Sequence, residues 1–191
     1  MVITIDGPAG VGKSTVAGLV AKRMGLRYVN TGTMYRELTA VALSRGVSLN
    51  DGEVLAGLVG QEAPEGADLR SEVISGNVSS VARHPQVRAR MRARQRELAV
   101  DAVLEGRDTG SVVCPGADLK VFLVASSRVR AERRARQLRI PVEEVERTIV
   151  ERDSLDSEQS APAPDAVLVD TGGMNASQVA DRIVELARER V

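Results

Sequence analysis

The segment Val2–Thr15, V-I-T-I-D-G-P-A-G-V-G-K-S-T, constrains the fold more than any other part of this 191-residue chain. It contains the pattern G-x-x-x-x-G-K-[ST] in full, between a short β-branched run and a helical pattern. A loop of this kind turns backbone N–H groups toward the phosphates of a nucleotide, and the N-terminus of the following helix also attracts negative charge. The segment therefore predicts a phosphate-binding loop at the start of an α/β domain.

Each position of this loop has an expected role. Lys13 is expected to bridge the β- and γ-phosphates of ATP, and the Ser14 hydroxyl is expected to ligate Mg²⁺. Lys13 is also one of only three lysines in the chain, whose other cations are arginines. The predicted ATP-binding segment consists of Gly7, Pro8, Ala9, Gly10, Val11, Gly12, Lys13, Ser14 and Thr15.

Apolar runs alternate with helical patterns along the remainder of the chain. None of the apolar runs shows a polar face, which is typical of a parallel sheet that is covered on both sides. Two long helical stretches interrupt the alternation, and we expect them to be mobile insertions over a rigid sheet. The polar segment 154–164 has no periodicity and is predicted to be irregular. The strand candidates are residues 2–5, 26–29, 103–105, 119–125 and 166–169.

Composition argues against several classes of protein. The formal net charge is zero, which disfavours a general binder of nucleic acid or of membrane surfaces. For the same reason the alternate arginines of residues 88–96 are interpreted as a solvated helix surface. Cys114 is the only cysteine, so no disulfide can form within the chain and a reducing compartment is expected. With no apolar run long enough to span a bilayer, we expect a cytoplasmic protein.

The phosphate-binding loop alone is compatible with a kinase, a GTPase switch or a nucleotide-driven machine. A GTPase would need the guanine motif N-K-x-D, which the sequence lacks. The D-x-x-G match at residues 170–173 comes late in the chain and is interpreted as the end of a strand. Against a motor or assembly ATPase, the chain is short and its sequence predicts no other apolar strand that ends in a metal-binding carboxylate. These observations favour a kinase.

A kinase whose acceptor is itself a phosphate monoester needs no general base, because the second pKa of such a phosphate is about 6. It needs positive charge that offsets the repulsion between two polyanions. Arg36 follows the second predicted strand and Arg107 ends the third, and ligands bind at the carboxyl ends of strands in such sheets. The lone histidine, His84, precedes a proline and is interpreted as structural.

Several motifs, taken in order, carry a resemblance to a known family. They are D-G-P-A-G-V-G-K-S-T, T-G-T-M-Y-R, H-P-Q-V-R, E-G-R-D-T-G-S-V-V-C-P-G and R-D-x-x-D. Over almost the whole chain they resemble the motifs of bacterial cytidylate kinases, in the nucleoside monophosphate (NMP) kinase superfamily. The resemblance implies one P-loop NTPase kinase domain over residues 1–191 with a five-stranded parallel sheet and helices on both faces. It also implies a shortened NMP-binding insertion at 36–100, a lid at 139–160, and transfer of the γ-phosphoryl group of ATP to CMP or dCMP.

The same resemblance implies roles for individual residues. Asp108 and Ser79 can accept from the cytosine amine while Arg88 donates to the ring acceptors. Uracil would instead bring an acceptor to the carboxylate. Arg134 is the first choice for the ATP phosphates among the arginines before the lid. The implied catalytic residues are Lys13, Arg36, Arg107 and Arg152, and the implied cytidylate-binding residues are Thr31, Arg36, Ser79, Arg88, Arg107, Asp108, Arg152 and Asp156.

Three features depart from the family pattern. Asn30 stands where the family commonly has Asp, the segment 47–69 is shorter than in many relatives, and Gln159 replaces an arginine that contributes to phosphate contacts. The implied partners are ATP with Mg²⁺ and CMP or dCMP, without nucleic acid or membrane, and the expected state is a monomer. Two alternatives stay open, a kinase for another small acceptor such as UMP or shikimate, and a nucleotide-responsive binding module with weakened catalysis.

Overall fold

Five strands form the sheet of this α/β chain, in the order β2-β3-β1-β4-β5. The strand β1 lies at the centre and pairs in parallel with β3 on one side and with β4 on the other, so that Ile5 aligns with both Glu105 and Val121. The edge strand β5 pairs in parallel with β4. The strands are β1 Val2–Asp6, β2 Arg27–Asn30, β3 Ala102–Glu105, β4 Leu119–Val124 and β5 Val167–Asp170. The computed structural model describes residues 1–156 and 161–190, without the side chains of Gln137, Arg152, Leu155 and Asp156.

Helices connect these strands and agree with the predicted pattern to within a few residues. The helix α1 ends at Met24, and its C-cap residue Gly25 has a φ of 67°, the left-handed conformation that glycine adopts readily at this position. Within the described residues, no helix is both long and apolar enough to cross a bilayer. The helices are α1 Lys13–Met24, α2 Thr31–Ser44, α3 Gly52–Gly57, α4 Glu72–Ala82, α5 Pro85–Leu98, α6 Ser127–Leu138, α7 Val142–Asp156 and α8 Ala176–Arg188.

Two local predictions differ from the structure. The segment predicted to be irregular from residue 154 begins inside α7, which continues to Asp156; residues 157–160 lie outside the described part of the chain. The second difference is a π-helical turn at Thr109–Val113, where the sequence predicts only a connection between strands. With one glycine and two hydroxyl residues among only five positions, this turn is too short and too polar for a periodicity argument to detect.

The chain forms two compact units, residues 1–29 with 99–191 and residues 30–98. In the first unit, α1 and α8 cover one face of the sheet. Ile3 and Ile5 of β1 pack there with Val20 of α1 and Ile183 of α8, all of them fully buried. The opposite face is buried as well, because Thr4 lies under the π-helical turn. The sheet is therefore covered on both sides in this region, as the apolar strands predict.

The second unit contains four helices, α2 to α5, and has an apolar cluster of its own. Leu38 of α2, Leu55 of α3, Val81 of α4 and Met91 of α5 form its centre and are almost fully buried. The lone histidine, His84, places its Nε2 2.8 Å from the carbonyl oxygen of Leu49. This contact ties the start of α5 to the segment before α3, which fits the structural role predicted for His84.

The buried cluster of the second unit predicts a contrast between two neighbouring residues of α3. Leu55 is fully buried and Val54 is 46% exposed. We expect Leu55→Ala to lower the free energy of unfolding by about 2–5 kcal/mol, because it leaves a cavity in the cluster. Val54→Ala, the matched control, should change it by roughly 0.5 kcal/mol or less. Urea unfolding followed by circular dichroism measures both, and equal effects would contradict a separate core built on α3.

Candidate functional site

The phosphate-binding loop connects β1 to α1 through Gly7–Gly12 and requires glycine where its backbone turns. Gly7 has a φ of 148°, and a Cβ built on it would lie 2.5 Å from the carbonyl oxygen of Leu123. This close approach arises because β1 and β4 are neighbours, so that the start of the loop crosses the end of β4. Val11, in contrast, is 1% exposed and belongs to the apolar cluster of the first unit. The loop is thus fixed to the sheet by one glycine and one apolar side chain.

Cationic side chains donate to the carbonyl oxygens of this loop. Lys13 Nζ lies 2.8 Å from the carbonyl oxygens of both Gly7 and Pro8. Arg107 Nη1 donates to the carbonyl of Gly7 at 2.7 Å. The donor loop and the arginine that ends β3 therefore meet at one peptide group.

Two arginines of α6 complete this arrangement. Arg130 Nη1 donates to the carbonyl oxygen of Ala9 at 2.9 Å, and Arg133 Nη1 donates to that of Val11 at 3.4 Å. Guanidinium groups stay protonated at all physiological pH values, so these contacts add fixed positive charge around the loop. Such a field attracts the phosphates of a nucleotide.

An ion pair with the half-buried Asp153 holds Arg130 in place. Arg130 is 5% exposed, and its guanidinium binds both carboxylate oxygens of Asp153 on α7, at 3.1 and 2.6 Å. Arg133 is fixed in a similar way by the Thr171 hydroxyl at 2.9 Å and by the Thr171 carbonyl, in the loop after β5. The sequence signals the arginine-rich helix, but it does not show that Asp153 and Thr171 are its partners.

The first turn of α1 is the expected binding place for Mg²⁺ and phosphate. Gly12 is its N-cap, with a φ of 101° and no side chain that could occupy the first N–H groups. Ser14 and Thr15 are exposed in this turn. Mg²⁺ commonly takes one or two protein oxygens and completes its shell with substrate phosphates and water. The Ser14 hydroxyl fits this kind of site; the described residues contain no group of three or more His, Cys, Asp or Glu side chains able to hold a metal.

The carboxyl end of β1 carries a buried acid that the sequence-based assignment passed over. Asp6 is 6% exposed and accepts three hydrogen bonds, from the N–H of Thr109 at 3.0 Å, its hydroxyl at 2.7 Å and the N–H of Gly110 at 2.8 Å. Burial raises the pKa of the Asp6 carboxyl above its ordinary value, and these hydrogen bonds act in the opposite direction. Its position at a strand end, directly before the glycine loop, is the signal that could have identified it.

Glu105 at the end of β3 is also buried and accepts from the Tyr28 hydroxyl at 2.7 Å. Strands β1 and β3 therefore both end in carboxylates that bind protein donors, and the prediction that no strand besides β5 ends in a metal-binding carboxylate stays a prediction. After Gly106 follow Arg107 and Asp108, which are half-buried. The predicted acceptor residues of the first unit thus lie at the carboxyl end of β3, beside the phosphate-binding loop.

The remaining described acceptor residues belong to the second unit. Thr31 opens α2 and is 8% exposed, and Arg36 lies half-buried on the same helix. Asn30, the departure from the family pattern, is the N-cap of α2 and accepts from the Thr33 N–H at 2.8 Å, a task that Asn and Asp perform equally well. Ser79 is exposed on α4 and Arg88 is half-buried on α5, two helices that pack directly against each other and against α2.

Three further predictions concern the region before and within the proposed lid. Arg134 is exposed on α6, so its predicted contact with ATP stays a prediction. Arg152 and Asp156 belong to α7, but their side chains lie outside the described part of the structure. Gln159 also lies outside the described residues.

The close approach at Gly7 predicts opposite effects for two glycines. In Gly7→Ala the new methyl group would meet the Leu123 carbonyl, so we expect loss of ATP binding, measured by isothermal titration calorimetry. Gly18 lies in α1, and a Cβ there would have no neighbour within 4 Å. Gly18→Ala, the control, should bind ATP normally and raise the free energy of unfolding by about 0.5–1 kcal/mol. Normal ATP affinity in Gly7→Ala would contradict the described loop geometry.

Solved structures with a similar fold include small-molecule kinases. The chain is similar to a gluconokinase from Sinorhizobium meliloti 1021 with a TM-score of 0.56 and 19% identity, covering 98% of this chain and 91% of that one. It is similar to the shikimate kinase from Bacteroides thetaiotaomicron with a TM-score of 0.56 and 13% identity, covering 97% of each chain. At this identity the similarity concerns the fold alone, and it confirms the predicted P-loop kinase fold.

Relatives at higher identity point to one family. The chain is 42% identical over 217 residues to the cytidylate kinase of Geobacillus sp. (strain WCH70), covering 99% of this chain and 97% of that protein. It is 44% identical over 218 residues to the bifunctional pantoate ligase/cytidylate kinase of Synechococcus sp. (strain JA-2-3B'a(2-13)), covering 98% of this chain and 40% of that protein. A family model described as cytidylate kinase matches residues 3–189. The chain therefore belongs to the cytidylate kinase family.

Proposed function

We propose that this chain transfers the γ-phosphoryl group of ATP to CMP or dCMP and releases CDP or dCDP with ADP. Its membership of the cytidylate kinase family makes it an ATP-dependent kinase. The observation that carries the proposed reaction is the hydrogen bond from Arg107 to the Gly7 carbonyl. This bond joins the loop for the donor phosphates to the motif that the family resemblance assigns to the acceptor.

The reaction needs alignment and positive charge more than proton transfer. An oxygen of the CMP phosphate attacks the γ-phosphorus, and the bond from that phosphorus to the β,γ-bridging oxygen breaks, leaving the electron pair on ADP. The attacking oxygen is already ionised near neutral pH, so no side chain has to remove a proton. Lys13 offsets charge on the donor, and Arg36 and Arg107 bind the acceptor phosphate, so that the two polyanions can lie in line.

Magnesium bound with ATP supplies additional positive charge to the β- and γ-phosphate oxygens. In this chain the Ser14 hydroxyl is the protein oxygen proposed to hold it. The first N–H groups of α1 and those of residues 7–12 would bind the same phosphates, where the helix dipole favours negative charge. The chain thus contributes one ligand and a set of oriented N–H donors.

Selection of cytosine is assigned to Ser79, Arg88 and Asp108. The cytosine amine donates to the carboxylate and hydroxyl, and Arg88 donates to the ring acceptors. Uracil would turn its O4 acceptor toward Asp108 and leave two acceptors facing each other, a mismatch that sites of this kind reject strongly. Thr31 and Asp156 are proposed to bind near the nucleoside, and Arg152 to contact it and the transferring phosphate.

Two mobile segments are proposed to take part in binding the substrates. Residues 36–100 would carry the acceptor, and the lid at 139–160 would bring Arg152 to the phosphates, with Arg134 on α6 as the arginine proposed for ATP. We also propose a cytoplasmic monomer, because the only cysteine suits a reducing compartment and no second chain is needed for the assigned residues.

The acceptor is tested by a panel of nucleoside monophosphates. We expect MgATP with CMP or dCMP to give rapid ADP release in a coupled assay, and UMP, AMP and shikimate to give much less. Equal or faster turnover of UMP or AMP would contradict the cytosine assignment. ATP binding without turnover of any acceptor would instead indicate a nucleotide-responsive binding module.

The base assignment predicts a specific effect of Asp108→Asn. The new amide can donate to uracil O4, so the ratio of kcat/KM for CMP to that for UMP should fall by about 10- to 100-fold. The KM for ATP should stay at the wild-type value. Asp118→Asn is the matched control, since this exposed carboxylate accepts from the Val2 N–H at the other end of β1. An unchanged ratio in Asp108→Asn would show that another group selects the base.

A further inference from the structure

Asp6 joins two parts of the chain that the reaction uses. It is the last residue of β1 and directly precedes Gly7, where the phosphate-binding loop begins. Its carboxylate binds Thr109 and Gly110, which directly follow Arg107 and Asp108. One buried side chain therefore connects the start of the donor loop with the residues assigned to the acceptor.

The hydrogen bonds of Asp6 are directed at the π-helical turn that follows β3. Oδ1 accepts from both the N–H and the hydroxyl of Thr109, and Oδ2 accepts from the Gly110 N–H. The turn continues from this point, since the N–H groups of Val112 and Val113 donate to the carbonyl oxygen of Asp108. The carboxylate thus fixes the first residues of the turn and, through the chain, the direction in which Arg107 and Asp108 leave β3.

Steric fit holds the same turn against β1. A Cβ built on Gly110 would lie 2.7 Å from Thr4 Oγ1, and the next nearest atoms are 3.4 Å away. Thr4 is fully buried, and within the described residues its hydroxyl finds no hydrogen-bond partner. The turn therefore approaches β1 so closely that only glycine fits at position 110.

We propose that Asp6 is a positioning residue for phosphoryl transfer, which holds Arg107 and Asp108 in register with the phosphate-binding loop. This inference rests on the proposed function for its kinetic consequence. Asp6 is buried beneath the turn and acts through it rather than by touching a nucleotide. Arg107, which lies just before the turn, donates to the Gly7 carbonyl of the phosphate-binding loop. A shift of the turn would therefore move Arg107 relative to the phosphates bound by that loop.

Replacement of Asp6 by asparagine tests the inference with little change of shape. An amide cannot accept from all three donors, because its NH₂ group must face the N–H of either Thr109 or Gly110. We expect kcat with CMP to fall by about 10- to 100-fold per folded molecule, as misplaced reacting groups commonly cause. The Kd for ATP, measured by calorimetry, should stay at the wild-type value. Asp118→Asn, at the opposite end of β1, serves as the control with normal kcat.

A second pair of variants tests the same register without touching the carboxylate. Gly110→Ala should lower kcat through the clash with Thr4 Oγ1, and the double variant Thr4→Ala/Gly110→Ala should recover most of the lost activity. The single variant Thr4→Ala should be close to wild type. This series decides the question even if Asp6→Asn fails to fold.

Amide hydrogen exchange separates this inference from the proposed function. If Asp6 holds the turn, peptides from residues 106–113 should exchange faster in Asp6→Asn than in the wild type, whatever acceptor the enzyme prefers. A wild type that is inactive on CMP would contradict the proposed function alone. Normal exchange in this segment, normal kcat in folded Asp6→Asn, or a double variant as inactive as Gly110→Ala would overturn the positioning role.

Discussion

The orientation of a few peptide groups between Gly7 and Gly12 is the constraint on which the rest of the site depends. A trans peptide directs its C=O and N–H to opposite sides. Arg130 and Arg133 hold the carbonyl oxygens of Ala9 and Val11, so the N–H groups of the following glycines face away from these arginines. Anion binding by backbone donors requires such a fixed arrangement. The arginines of α6 therefore hold the loop in this orientation without any bound nucleotide.

The strand order explains why the phosphate-binding loop can contact Arg107, the arginine proposed for the acceptor phosphate. Because β1 lies between β3 and β4, the residues after β1 meet the ends of both neighbours. The Leu123 carbonyl of β4 limits position 7 to glycine, and Arg107 after β3 donates to the peptide of that glycine. The ion pair of Arg130, which also contacts the loop, with Asp153 connects α6 to α7. Donor loop, acceptor arginine and the helix carrying Arg152 are thus connected within one unit.

Most strands and helices could be predicted from the sequence, whereas the long-range contacts of the candidate site could not. The glycine loop, the strands and the C-cap at Gly25 follow from local patterns with a known period or turn requirement. The roles of Asp6 and Asp153 could not be predicted, because their partners, Thr109 and Arg130, are brought to them only by the tertiary fold. The π-helical turn could not be predicted because the carboxylate that binds its first residues, Asp6, lies far away along the chain. Arg107 and Arg36 were assigned because ligands bind at strand ends in α/β sheets, and their roles stay predictions.

The segment 47–69, predicted to be shorter than in many relatives, contributes apolar side chains to the core of the second unit. Leu55 of the short helix α3 and its C-cap residue Leu58 both belong to the apolar cluster and are buried. Helices α2, α4 and α5 pack around that cluster and carry Arg36, Ser79 and Arg88. Loop length affects stability only weakly, whereas loss of a buried leucine is costly. The segment 47–69 therefore supplies part of the core around which the helices with the predicted acceptor residues pack.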